Sequence, residues 1–184
     1  MGVKGRRIKQ LDDEPTVLNS VKAIIEKAKD SGFIEDYEVD IEKIIESQGI
    51  ILEKDQNMDS SLSGVLSKDK ESNKWEIRVN AKHHIRRQRY TMAHEFAHYC
   101  LHKDERGTFV DETVYFRKAN DSSIEFNADK FAAELLMPSE YFRKAIENDG
   151  IKKIKDLAEK FNVSRIAVEK RAGSLKYKFK SHEG

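Results

Sequence analysis

Apolar side chains recur along this chain at two different periods, and the change of period divides it. From Thr16, the positions Val17, Val21, Ile24, Ile25 and Ala28 keep helical spacing until Asp30-Ser31-Gly32 stops them. Val39, Ile41, Ile44 and Ile45 repeat the pattern, with Asp40 near the start of the helix and Gly49 just past its end. Ile50-Ile51-Leu52 then reads as a short buried strand and Ser61 to Ser67 as a second. Trp75 to Asn80, which alternates apolar and polar positions strictly, reads as a third. The polar stretch 69–73 turns the chain between the last two, so an antiparallel hairpin is expected there. Helical spacing returns from Arg89 to His102. It appears again from Ile124 to Met137, where Ala128, Phe131, Ala132 and Leu135 form a stripe that Pro138 closes. From Leu157 to Arg171 a helix, a short turn at Asn162 and a second helix follow one another. The expected class is α+β: a small antiparallel sheet packed on helices, followed by a helix-turn-helix-like segment.

This pattern divides the chain into a polar leader at 1–15, a core at 16–140, a helical segment at 141–175 packed on that core, and a basic polar tail at 176–184. The irregular stretch 104–123, with Phe109, Val110, Val114, Tyr115 and Phe116 as its apolar anchors, has the length of a loop that walls a cleft. Composition narrows the setting. With 38% hydrophobic and 36% charged residues, the chain reads as a globular domain with a charged surface, and no apolar run approaches the ~18 residues of a membrane span. The basic start has no apolar stretch behind it, so no secretory signal is expected. A single cysteine, Cys100, makes no internal disulfide, and a cytoplasmic location follows as the expectation. A net charge of +1 gives no whole-chain argument for nucleic acid. The run from Lys82 to Arg89 lacks interleaved aromatic residues and reads as a solvated helix face, so direct nucleic-acid binding is not expected.

The chemistry concentrates in His94-Glu95-Phe96-Ala97-His98. On a helix the two histidines lie ~40° apart, so both imidazoles can hold one metal ion while Glu95 leans aside as a base. Ala93, Phe96, Ala97, Cys100 and Leu101 share the opposite flank, which makes Cys100 a core residue rather than a ligand. A catalytic zinc takes three protein ligands and keeps an open position, so one further donor is needed. Glu125 is the candidate, and Asp129, one turn further on the same face, is placed to accept the Nδ1 hydrogen of a ligand histidine. Ser122-x-x-Glu125 also matches a capping box, in which Glu125 would serve only the helix start, and spacing leaves both readings open. Tyr115, Tyr141 and His102 are candidate hydrogen-bond donors to a developing oxyanion, with nothing to choose among them. His83 and His84 lack ligand spacing and read as surface residues.

The string from Arg87 to His102 and the string from Glu125 to Pro138 together resemble the ImmA/IrrE family of metallopeptidases. The likeness extends through Ser63-Gly64 and Ile77 to Asn80 upstream, and through Asp156 to Ser164 downstream. The resemblance implies a zincin-like domain in which His94 and His98 bind Zn2+, or another divalent metal, with Glu95 as catalytic base and Glu125 as third ligand. Family members often carry Asn where this chain has Asp129. The resemblance also implies a protein substrate, a helix-turn-helix repressor encoded nearby, whose cleavage would relieve repression. If Trp75 to Asn80 forms the exposed sheet edge, an extended substrate could add to it as a strand; otherwise it is an inner strand. The rival expectation is a DNA-binding, adaptor or toxin–antitoxin component that uses the C-terminal segment and a non-catalytic metal site. Ile166, Ala167 and Val168 make the start of its second helix apolar for reading bases. A structural zinc is closed by four protein ligands, whereas this chain offers three and a Glu95 that no structural site requires.

Overall fold

A computed structural model describes residues 14–69, 71–102 and 122–179. Helix α1 (Glu14–Asp30) begins at Glu14, so Pro15 falls in its first turn, where a missing N–H costs nothing, rather than in a leader. The helix ends where Gly32 adopts φ +70° and Phe33 N–H returns to the Ala28 carbonyl at 2.8 Å. The chain then forms a hairpin that the apolar pattern does not announce. Strands β1 (Ile34–Glu35) and β2 (Glu38–Val39) are joined by Asp36 and Tyr37, both at positive φ, a two-residue turn of the kind that Asn-Gly or Asp-Gly usually marks. Packing holds it in place instead: the Tyr37 ring stacks on Tyr141 at 5.4 Å and on Phe161 at 6.0 Å. Helix α2 (Ile41–Ser47) follows, capped by the Asp40 carboxylate, which accepts from Lys43 N–H at 3.1 Å.

The main sheet holds β3 (Ile51–Asp55), β4 (Gly64–Lys68) and β5 (Trp75–Asn80) in the order β3-β5-β4. The expected hairpin is β4 with β5. Strand β3 joins β5 in parallel, however, so the sheet is mixed rather than wholly antiparallel. Strand β3 is also less buried than its apolar start suggested, since Ile50 is inside but Ile51 is 42% exposed. Strand β5 lies in the middle with Ile77 and Val79 fully buried, so the exposed-edge reading of Trp75 to Asn80 is overturned, and β3 and β4 are the edges. Asn80 ends β5 as a buried polar residue with its bonds made. Its amide donates to the carbonyls of Asp59 at 3.1 Å and Leu62 at 2.9 Å, and this pins the loop that leads into β4.

Helix α3 (Ile85–His102) packs against β4, β5 and helix α4 (Ser122–Leu136). Its Met92, Ala93, Phe96 and Ala97 share one core with Leu66, Ile77 and Val79 of the sheet and with Ala128, Phe131, Ala132 and Leu135 of α4. Helices α5 (Ser139–Glu147), α6 (Ile154–Lys160) and α7 (Arg165–Ser174) complete the described chain. The last two make the expected helix-turn-helix. Asn162 takes φ +48° in the turn, and Ser164 caps α7 by accepting from Ala167 N–H at 3.1 Å. The molecule is thus α+β, with α3 packed against both the sheet and α4.

Candidate metal centre

Helix α3 owes its placement to residues that precede the histidines. Gln88 donates to the carbonyls of Ala81 at 3.2 Å and His83 at 2.7 Å, holding the chain that enters the helix. Arg89, expected on a solvated face, is instead 6% exposed. Its guanidinium donates to the carbonyls of Val39 at 2.8 Å and Asn162 at 3.1 Å and pairs with Glu38 at 3.2 Å. Three satisfied donors make that burial tolerable, and they tie the start of α3 to β2 and to the α6–α7 turn. Arg87, by contrast, is exposed and reaches Ser63 Oγ at 2.8 Å.

One and two turns later the same helix presents His94 and His98. Ala93, Phe96 and Ala97 are buried on the other flank as expected, and Cys100 and Leu101 are half-buried against the core. The imidazole planes of His94 and His98 stand at 81° with Nε2 atoms 3.0 Å apart. Glu125, in the first turn of α4, spans both: one oxygen lies 3.2 Å from His94 Nε2 and the other 3.4 Å from His98 Nε2. In a tetrahedral zinc site with bonds of ~2.0–2.1 Å, neighbouring ligand atoms stand roughly 3.3 Å apart. The 3.0 Å between the two Nε2 atoms, and the 3.2 and 3.4 Å from them to one and the other Glu125 oxygen, each lie near that spacing. Two imidazoles and one carboxylate, converging within 4.8 Å, therefore suit a divalent ion in both spacing and chemistry. Among the described residues this is the one such group of three or more.

Asp129, one turn along α4, receives His94 Nδ1 on its Oδ1 at 3.0 Å. That contact puts the histidine's proton on Nδ1 and leaves Nε2 as a lone-pair donor facing His98 and Glu125. Burial works to lower the His94 pKa, but the Asp129 hydrogen bond and the charges of Glu95, Asp129 and Glu125 outweigh it, and the net shift is upward. The bond from His94 is also the main reason that the Asp129 carboxyl is held below its ordinary range. Sequence reasoning missed one neighbour. The Tyr90 hydroxyl donates to the same Asp129 Oδ1 at 3.2 Å. The available signal was its position four residues before His94, on the same face of α3.

Glu95 is half-buried on α3 beside the two histidines, where β4 comes close. A Cβ on Gly64 would stand 2.4 Å from Thr91 Cγ2 and 3.3 Å from Glu95 Cγ, so the absence of a side chain there sets the strand-to-helix distance. Of the candidate oxyanion donors, Tyr141 is stacked on Tyr37, while Tyr115 and the His102 side chain lie outside the described residues. The remainder of the expected cleft-wall loop lies outside them too. His84 is exposed and His83 half-buried.

Comparison with known proteins identifies the family. Residues 47–172, from the end of α2 to α7, match the Peptidase_M78 family model, described as the IrrE N-terminal-like domain. Metallopeptidase ImmA of Bacillus subtilis (strain 168) is 30% identical over 125 residues, which cover 66% of this chain and 70% of that protein. A Mycobacterium tuberculosis transcriptional regulator of known structure shares the fold with a TM-score of 0.60 at 17% identity, over 84% of this chain. The match takes in 46% of the regulator, so this chain spans under half of its length. On the matched domain and the ImmA relative together, the chain belongs to the Peptidase_M78 family, that of the IrrE N-terminal-like domain.

Proposed function

We propose that this protein is a zinc-dependent endopeptidase of the cytoplasm that cuts a regulatory protein, a helix-turn-helix repressor encoded nearby, and so relieves repression. The observation that carries the reading is the meeting of His94, His98 and Glu125 across α3 and α4, in a chain whose ImmA relative is named a metallopeptidase. In this reading the three residues hold the ion and Asp129 orients His94. Zinc, when bound, supplies a Lewis acid that polarises the scissile carbonyl and makes water more acidic. Glu95 stands beside the ligands rather than among them. Its carboxylate takes a proton from the attacking water and delivers it to the leaving amine nitrogen. Strand β4 is the sheet edge next to α3, so an extended substrate segment would add there, main chain to main chain, rather than at β5. No described helix is long and apolar enough to cross a membrane.

The test is to incubate the zinc-loaded protein with a helix-turn-helix repressor encoded beside it and to follow cleavage by mass spectrometry, comparing wild type with Glu95→Gln. Cleavage by wild type alone is expected, with both proteins holding zinc equally. Equal cleavage by both would remove Glu95 from the chemistry. No cleavage by either, together with tight binding of operator DNA by the apo-protein, would replace the peptidase by a DNA-binding role.

A further inference from the structure

We propose that Tyr90 is a positioning residue for the metal centre: its hydroxyl holds the Asp129 carboxylate in the orientation that fixes His94 as a ligand. The inference rests on the reading of His94, His98 and Glu125 as metal-binding. Asp129 needs such a partner because its side chain is 55% exposed, and a carboxylate in that position is free to turn toward water. One oxygen atom, Oδ1, takes both the His94 Nδ1 contact at 3.0 Å and the Tyr90 hydroxyl at 3.2 Å. The carboxylate cannot rotate without losing the two together.

The arrangement is fixed from both sides. Tyr90 and His94 stand one turn apart on α3 while Asp129 projects from α4, so the three groups form a triangle across the α3–α4 contact. The Tyr90 ring packs against the core, and its hydroxyl reaches Asp129 from there. Burial, and then the charge and hydrogen bond of Asp129, push the phenol's pKa well upward, in keeping with its role as the donor in that bond. A phenylalanine would fill the same space against the core. Packing alone therefore does not account for the hydroxyl, and its bond to Asp129 does.

Outer partners of metal-bound histidines typically change affinity by about 10- to 100-fold, and a group one bond further out should change it less. The experiment measures Co2+ affinity by chelator competition, with the visible Co2+ spectrum recorded alongside, for wild type, Tyr90→Phe, Asp129→Ala, the double variant and His94→Ala. Tyr90→Phe is expected to bind Co2+ about fivefold more weakly with shifted absorption bands, and Asp129→Ala about 10- to 100-fold more weakly. The double variant is expected to be no weaker than Asp129→Ala. Apo Tyr90→Phe should unfold at the wild-type temperature. Wild-type affinity and spectrum in Tyr90→Phe, or an equal loss in the Asp129→Ala background, would overturn the proposal while His94→Ala still showed the metal site to be real. Equal binding by wild type and His94→Ala, or none by wild type, would instead remove the metal site and the Tyr90 role with it.

Discussion

At the scale of single residues, the two readings of Glu125 make different demands. A capping glutamate turns back to the start of its own helix, whereas here both carboxylate oxygens lie within 3.4 Å of imidazole nitrogens on another helix. Glu125→Gln replaces one charged oxygen by an amide nitrogen that cannot donate electrons to a cation. It should therefore weaken zinc retention by more than about 100-fold, beyond the range of an outer partner. Glu169→Gln, an exposed change on α7, should leave retention unaltered, and equilibrium dialysis against a chelator reads both. Equal retention would return Glu125 to the cap. The two halves of the candidate site were legible in the sequence because each is local, His94 and His98 one turn apart and Glu125 and Asp129 one turn apart. Spacing left Glu125 open between ligand and cap, and the resemblance rather than spacing pointed to it as third ligand. Tyr90 and Arg89 were not legible. What each does depends on partners about forty to seventy residues away in the chain, brought near only by packing, as Tyr90–Asp129 and Arg89–Asn162 show. A charge run taken as a solvated face thus concealed a buried arginine.

At the scale of elements, periodicity found every long helix and the β4–β5 hairpin, because those features are written in adjacent residues. It could not show that β3 pairs in parallel with a strand that follows it only after β4, since nothing local to Ile51–Asp55 encodes that partner. It also missed the β1–β2 hairpin, whose Asp36-Tyr37 turn is held by aromatic packing rather than by turn chemistry. Order in the sheet matters for the proposed strand addition, because it puts β4 and not β5 at the edge beside α3. Gly64 sets that spacing. An added methyl would meet Thr91 Cγ2 at 2.4 Å and the Arg78 carbonyl at 3.3 Å, and a buried β-branched threonine on a helix has few rotamers to swing into. Gly64→Ala must then displace the strand, at a cost of about 1–3 kcal/mol, and shift Glu95. Activity should fall more than stability, as paired urea titrations and turnover measurements would record. Gly173→Ala is the matched control: it lies in α7 with nothing within 4 Å of the new atom. That change should stabilise by up to about 1 kcal/mol and leave turnover intact. Equal loss of activity in the two variants would remove the special role of Gly64.

At the scale of the whole molecule, the question is whether the helix-turn-helix is a module or a wall of the core. Leu157, Phe161, Val163 and Val168 from 154–174 are fully buried in the same cluster as Phe96 and Phe131. Polar contacts make the same connection. Arg171 of α7 is buried, pairs with Glu134 of α4 and donates to the Met137 carbonyl at 3.0 Å. Arg89 of α3 donates to the carbonyl of Asn162 in the α6–α7 turn. Burying each large apolar side chain contributes roughly 1.5–3 kcal/mol, so these four together contribute about 6–12 kcal/mol, comparable to the roughly 5–15 kcal/mol of a whole domain. Removing the segment would also cost Arg89 its bond to the Asn162 carbonyl and Glu134 its ion pair with Arg171. A chain ending at residue 150 should therefore lose its cooperative urea transition and its metal binding together. The segment 151–179 alone should be unfolded by circular dichroism and should not shift DNA in a gel. A truncated chain that still unfolds cooperatively and holds zinc would make α6 and α7 an appendage. In that case the exposed positions of α7, Arg165, Ile166 and Lys170, would become the place to look for a DNA contact. The expected result makes α6 and α7 part of the packed core, with Leu157, Phe161, Val163 and Val168 closing it.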